Sequence, residues 1–411
     1  MDRQLHRRFY LDWLRIAAFA LLVLYHVGMY YVSWDWHINR QPAVTALEPL
    51  MLLTSPWRLS LLFLVSGIAT AFLVARTRRM SADTGASRFM RSRSLRLLLP
   101  LAAGMLLVVP PQSYFEVMEK LPGGYGDGYL AFWSRYLTAD DGFCTADGKC
   151  LLLPTWNHLW FVAYLWVYTL ALWLFLRFAP GALPAAGRWL RRRLEGAGLL
   201  LWPLLFLALG RLTLLGPFGS THALVDDWHN HAQYFPLFLL GYLMAMDEGI
   251  WARMQALRWP ALAMALCSWA LLAWYFAHYV DATPPNAVRA LQRVAWALNQ
   301  WTAIVAAIGF ARRLAPGDGP LRRYLSDAVF PVYIVHQTIT VAAAWHLRPL
   351  ALGAGVEGAL LVLLTFGVSL CAYECVRRVR RVRWLRPLFG LKPSQAARAP
   401  AALHAPATRP R

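Results

Sequence analysis

Apolar runs of nearly 20 residues recur along the chain from residue 13 to residue 376, separated by short polar or basic stretches. A helix of about 20 apolar residues reaches across a bilayer core. The pattern therefore predicts ten membrane helices, near 13–32, 57–75, 96–110, 157–177, 196–215, 232–246, 260–279, 289–310, 328–346 and 358–376. The expected fold class is an all-α membrane protein, a polytopic bundle filling one domain over 1–390. A Pro- and Ala-rich disordered cytoplasmic tail is expected over 391–411.

Composition agrees with this pattern and charge orients it. The 411 residues are 58% hydrophobic, with a mean hydropathy of +0.41. There are 41 Lys and Arg against 21 Asp and Glu. In a soluble chain that balance would point to nucleic acid. Here its placement argues otherwise. With the N-terminus inside, segments 1–12, 76–96, 177–195, 247–259, 311–325 and 377–411 hold 31 basic residues. The alternate segments 33–56, 111–156, 216–231, 280–288 and 347–357 hold 5. Basic residues gather in cytoplasmic loops, so both termini are expected in the cytoplasm. The expected partner of this charge is the bilayer and not nucleic acid. The start MDRQLHRR would suit a secretory leader, but the following apolar run is too long and lacks a small-residue cleavage site. It reads as the first span.

Polar groups within apolar runs cost roughly 2.5–3.5 kcal/mol each at a helix centre, so they mark chemistry. In the first run, Arg15 and His26 are eleven positions apart, about 16 Å along a helix and within about 20° of one face. Asp12 stands three residues before Arg15 and can pair with it. Bland accounts exist: Arg15 reaching to headgroups, and His26 bonding a neighbouring helix. Arg93 and Arg96, spaced i, i+3 at a membrane boundary, form a natural phosphate clamp. His336 lies mid-run. Trp36, His37 and Asn39 follow the first run outside, and Asn157, His158 and Trp160 open the fourth. The cluster Asp226, Asp227, His229 and His231 lacks a helical or hairpin frame and reads as a solvated loop, so no metal is expected. Cys144 and Cys150 can close a small disulfide if their loop faces an oxidising compartment.

These residues resemble the acyltransferase-3 family of integral membrane O-acyltransferases. Its members commonly carry Leu-Asp-x-Leu-Arg, ten residues and a His, here Leu11 to Arg15 and His26. A Phe-rich segment ending Ser-Gly is matched by Ser66 and Gly67, Arg-x-x-Arg by Arg93 and Arg96, and a late Tyr and His by Tyr333 and His336. WDWHIN (Trp34 to Asn39) and HLWF (His158 to Phe161) are similar to the branch that succinylates periplasmic glucans. The resemblance spans 8–390 and is strongest over 8–100. Three Leu separate Arg96 from Pro100, where many members place the Pro nearer.

The resemblance implies transfer of a succinyl or acetyl group from cytoplasmic acyl-coenzyme A to a hydroxyl of an extracytoplasmic glycan. It places the chain in a bacterial inner membrane, with envelope glycan-synthesis proteins as partners. Arg15, Arg93 and Arg96 would hold the donor phosphates. His26 would act as general base, with Asp12 and His336 assisting. Trp36, His37, Asn39, His158 and Trp160 would meet the acceptor. No permanently bound cofactor is expected. A succinyl group would benefit from a further cation, for which Arg58, Arg211, Arg289 and Arg293 are candidates. The rival reading is a multi-pass transporter or flippase, but paired Gly/Pro-interrupted helices and intramembrane acids for ion coupling are not apparent.

Overall fold

The computed structural model describes residues 9–80, 85–146, 148–314 and 317–391. The expected tail thus lies outside the described residues, apart from Leu391. The elements in order are α1 (Phe9–Met29), α2 (Glu48–Thr54), α3 (Arg58–Met80), α4 (Gly85–Ala103), α5 (Pro110–Lys120) and α6 (Gly128–Leu137). Then follow α7 (Trp160–Phe178), α8 (Ala182–Arg193), α9 (Gly198–Phe218), α10 (Trp228–Met244) and α11 (Glu248–Ala256). The last are α12 (Arg258–His278), α13 (Asn286–Leu314), α14 (Pro320–Leu347) and α15 (Ala354–Arg378).

Each of the ten expected runs is helical. Among the described residues eight helices are long and apolar enough to cross a membrane, and a ninth path is bent. The chain is a multi-pass membrane protein. The remaining expected span, α10, has 17 residues and carries Pro236. The third run differs most from expectation. It starts at α4, passes through a π-helical turn over Gly104–Val108, and bends by 40° into α5. Pro110 and Pro111 explain the break, since neither offers an N–H to the preceding turn. The segment 111–156, expected as a loop, therefore holds α5 and α6.

Burial separates the helices into two sets. Two thirds of the apolar windows of the α2–α3 path and of α13 are inside the protein (67%), against 17% for α9 and 22% for α12. A helix that is apolar yet uncovered satisfies its own backbone and can face lipid, so α9 and α12 are peripheral. α3, α13 and α14 form the centre, with α10 crossing α3, and α1 packing on α14.

The α3–α10 crossing depends on two glycines. A Cβ on Gly67 would lie 1.9 Å from Phe238 O, and one on Gly241 2.0 Å from Leu64 O. Backbone meets backbone there, as small residues permit in membrane bundles. This gives the Ser-Gly pair of α3 its structural reason: Gly67 admits the neighbouring helix while Ser66 faces a cavity.

At the end opposite the Arg-rich loops, α6 and the following loop enclose Phe132, Tyr136 and Phe143. Cys144 and Cys150 are disulfide-bonded within that loop. Arg135 donates to Asp140 at 2.7 Å, and this bond, with the Gly142 N–H, holds the Asp140 carboxyl below its ordinary range. A depressed carboxylate stabilises above its unfolded pKa and stops doing so as pH falls through the folded value. Protection from hydrogen exchange over 138–146, taken against the intrinsic rate at each pH, is therefore expected to fall at acid pH, below the ordinary carboxylate range, and to be unchanged between pH 6 and 8. Equal exchange in an Asp140→Asn variant at neutral pH would show the loop is held by its apolar cluster alone.

Candidate active site

A cavity of about 460 Å³ opens at the basic end of the bundle. Arg15 from α1, Arg93 and Arg96 from α4, and Arg377 from α15 line it together with Arg386. Residues 362 positions apart in sequence (Arg15 and Arg377) thus share one pocket because α1, α4 and α15 all bring their basic ends there. Arg15 donates to Ser326 O at 3.3 Å, and Arg93 Nε has no hydrogen-bond partner among the described residues. Asp327 is the acid in the lining. Several guanidinium groups against one carboxylate make a site for a polyanion.

Aromatic rings close the inner wall. Phe19, Phe161 and Phe330 line the cavity, and each packs on Tyr333, at 5.5, 6.1 and 6.2 Å between centroids. Beyond this layer lie the histidines. His26 Nδ1 is 2.8 Å from His336 Nε2, with the rings stacked 5.0 Å apart. His158 meets His336 edge-on at 5.1 Å. His336 is fully buried, whereas His26 keeps part of its surface accessible.

The hydrogen bonds assign the tautomers. His336 Nδ1 is 2.7 Å from Tyr333 O, so that nitrogen must carry the proton. A neutral imidazole then has an acceptor at Nε2, and His26 must donate to it from Nδ1. His26 Nε2 is left with its lone pair free. The buried ring thus orients the accessible one and leaves it basic at the atom that can meet a ligand.

A polar track continues from His158 to the opposite end. His158 Nε2 donates to Ile334 O at 3.0 Å, and Gln112 reaches its Nδ1 at 3.5 Å. Gln337 donates to Gln112 Oε1 at 3.1 Å and to His37 Nε2 at 2.7 Å. His37 Nδ1 donates to Glu116 at 2.5 Å, and Lys120 joins Glu116 to Asp35. Every buried member is paired, as a polar network in a low-dielectric interior requires.

The expected site residues divide accordingly. Arg15, Arg93 and Arg96 share the cavity; His26, His336 and His158 share the imidazole centre; His37 is joined to it through Gln337 and Gln112. Asp12 faces Arg15 at 3.9 Å, the pairing its i, i+3 spacing predicts, and also pairs with Arg322; about 21 Å of helix keep it from the His26 ring it was expected to assist. Three further expectations change. Trp36 is buried against Tyr30, Tyr31 and Ile38 and offers no open platform. Asn39 ties the chain reversal after α1, donating to Met29, Val32 and Trp34 carbonyls. Trp160 stacks on His222 at 4.1 Å, inside the protein. The cluster expected as a solvated loop is also corrected. Asp227 is buried and accepts from Tyr164, Asn230 and the His222 N–H, while His231 bonds Tyr168 and Leu224. Among the described residues no three His, Cys, Asp or Glu side chains are grouped to hold a metal ion.

Sequence reasoning missed Gln112, Glu116 and Gln337, and it counted Arg377 and Arg386 only as basic charge. Gln112 and Glu116 lie four apart on α5, one face of an amphipathic helix whose polar side meets α14. That spacing was the available signal.

A helical membrane bundle thus carries an arginine-lined cavity at one end and a stacked imidazole pair within. Residues 8–374 match the family model described as an acyltransferase domain, and the chain belongs to that family, the acyltransferase-3 proteins. It is therefore an acyltransferase. Two relatives of similar length are named glucans biosynthesis protein C, from Escherichia coli O6:K15:H31 (strain 536 / UPEC) and Escherichia coli O81 (strain ED1a). Each is 22% identical, over 407 and 409 residues, covering 92% of this chain and 94% of the relative. No solved structure matches the chain.

Proposed function

We propose that the protein moves an acyl group from cytoplasmic acyl-coenzyme A to a hydroxyl of an extracytoplasmic glycan, with a periplasmic glucan as the first candidate acceptor. The observation that carries this reading is the pairing of an Arg-lined cavity at one end with a free imidazole lone pair beyond it. Arg15, Arg93 and Arg96 hold the donor phosphates, with Arg377 and Arg386 beside them. The pantetheine arm passes between Phe19, Phe161 and Phe330 and brings the thioester to His26. The acceptor hydroxyl bonds to the thioester carbonyl carbon as His26 Nε2 takes its proton. The tetrahedral intermediate then expels the coenzyme A thiolate, which recovers that proton from His26 and leaves as the thiol. His336 holds the His26 ring throughout, as a second residue orients the base in other acyl-transfer centres.

The excess of basic residues in alternate segments supports placing the Arg cavity in the cytoplasm. A disulfide in the loop at the other end suits an oxidising periplasm. The named relatives support a glucan acceptor and a bacterial inner membrane. Succinyl and acetyl are the two candidate acyl groups.

The test is mass spectrometry of envelope glycans from a deletion strain carrying the wild type or the Arg93→Gln, Arg96→Gln double variant at matched membrane levels. Wild type is expected to restore ester mass increments, which name the acyl group. The double variant is expected to restore about a tenth or less at limiting donor, because each charge-assisted bond is worth about 1.5–3 kcal/mol. Glycans without esters in the wild type would overturn the acceptor. Full acylation by the double variant would remove the arginines from donor binding.

A further inference from the structure

Arg58 opens α3 and is 4% exposed. Its guanidinium lies over the Tyr25 ring, 3.3 Å from the centroid, is hydrogen-bonded to the Tyr25 side chain, and donates a long bond of 3.4 Å to Thr54 Oγ1. Its Nε has no hydrogen-bond partner, and no carboxylate faces it among the described residues. Guanidinium does not give up its charge, and a charge taken out of water without a counter-ion is costly. Within a membrane protein such a cation marks a place where the counter-ion comes with the ligand.

Its neighbours say which part of the ligand that is. Tyr25 and His26 are adjacent, with rings 6.3 Å apart, and Arg58 lies over the first of these rings. Arg211 lies over Trp296, Arg293 reaches Leu212 O from an exposed position, and Arg289 reaches Pro284 O. The donor phosphates, on the reading above, stay on the far side of the Phe19, Phe161 and Tyr333 layer. The anion that meets Arg58 therefore belongs to the reacting end.

We infer that Arg58 binds the free carboxylate of a dicarboxylic acyl group and thereby selects such groups over uncharged ones. This rests on the acyl-coenzyme A reading. A short dicarboxylic monothioester carries its carboxylate only a few bonds from the thioester carbonyl, so one fixed cation near His26 positions both. Arg58 makes and breaks no bond. Tyr25 packs against the guanidinium face, which fixes its plane and adds a cation–π contact.

The experiment measures coenzyme A release by the full-length protein in membranes with glucan oligosaccharides, using succinyl-coenzyme A and acetyl-coenzyme A in parallel. Arg58→Gln is expected to lower kcat/KM for succinyl-coenzyme A by about 100-fold and to change that for acetyl-coenzyme A by less than about threefold. Arg58→Lys, which keeps the charge, is expected to retain part of the succinyl preference and guards against a Gln variant that fails to insert. Equal losses with both donors, as a structural role or a carboxylate carried by the acceptor would give, overturn the inference and leave the acyl-coenzyme A reading standing. A wild type that releases coenzyme A from neither donor overturns that reading and this inference with it.

Discussion

Replacing His26 with alanine is expected to lower acyl transfer by about 10² to 10⁴-fold, the usual contribution of a positioned general base. The geometry makes the prediction specific. His26 Nδ1–H is held 2.8 Å from the His336 Nε2 lone pair, which leaves His26 Nε2 as the basic atom. The loss should fall on kcat and leave KM for the donor little changed, because the arginine cavity is separate. His336→Phe keeps a ring of similar size but removes the acceptor that fixes the His26 tautomer. It should cost less, about 10- to 100-fold, as is typical for a residue that orients another. Membrane level and unfolding temperature should match wild type in the His26 variant, since that ring is only partly enclosed. Coenzyme A release by purified protein checks all of this. Turnover within a few-fold of wild type in His26→Ala would place the base elsewhere.

The largest effect on stability is expected at Gly67. Its missing Cβ would stand 1.9 Å from the Phe238 carbonyl oxygen, a backbone atom that cannot swing aside. Gly67→Ala must push α3 and α10 apart, and overpacking of this kind costs about 1–3 kcal/mol or more. Gly241→Ala meets the same crossing from the other side, 2.0 Å from Leu64 O. Once one has separated the helices the other has less to disturb, so the pair should fall short of additive. Gly367→Ala is the control, because a Cβ at that position would meet nothing within 4 Å. It should be neutral or slightly stabilising, as Ala favours a helix by about 1 kcal/mol over Gly. Thermal unfolding in detergent gives the order. A Gly67→Ala protein that melts with wild type would mean the crossing is looser than the backbone distances require.

The helices and the arginine cavity were legible in the sequence for one reason: both follow from local patterns, apolar length for the former and basic flanks for the latter. His26 and His336 were legible because each interrupts an apolar run. That they face one another was not, since 310 residues separate them. The α5 network was hidden differently. Hydropathy treats a span as a straight apolar segment, and Gln112, Glu116 and Lys120 made this stretch read as loop. Their polar groups are satisfied by Thr338, Gln337 and His37 on other elements, which one-dimensional reading does not see. Trp36 and Trp160 misled in the opposite sense. Aromatics beside a membrane boundary look available, yet the chain reversal after α1 and the loop before α10 fold over them. Asp12 was read both as a partner of Arg15 and as an aid to His26; the first holds at 3.9 Å, while fourteen helical residues keep it from the second.

The layer of Phe19, Phe161, Phe330 and Tyr333 has an electrical consequence. On the proposed orientation the arginine cavity opens to the cytoplasm and the imidazole centre faces the other side, across a membrane that holds a voltage. A continuous watery path between them would let ions run down that voltage at every turnover. Four packed rings leave no such path between them. On the proposed reading the acyl group would then pass outward without a water-filled path being open to ions beside it.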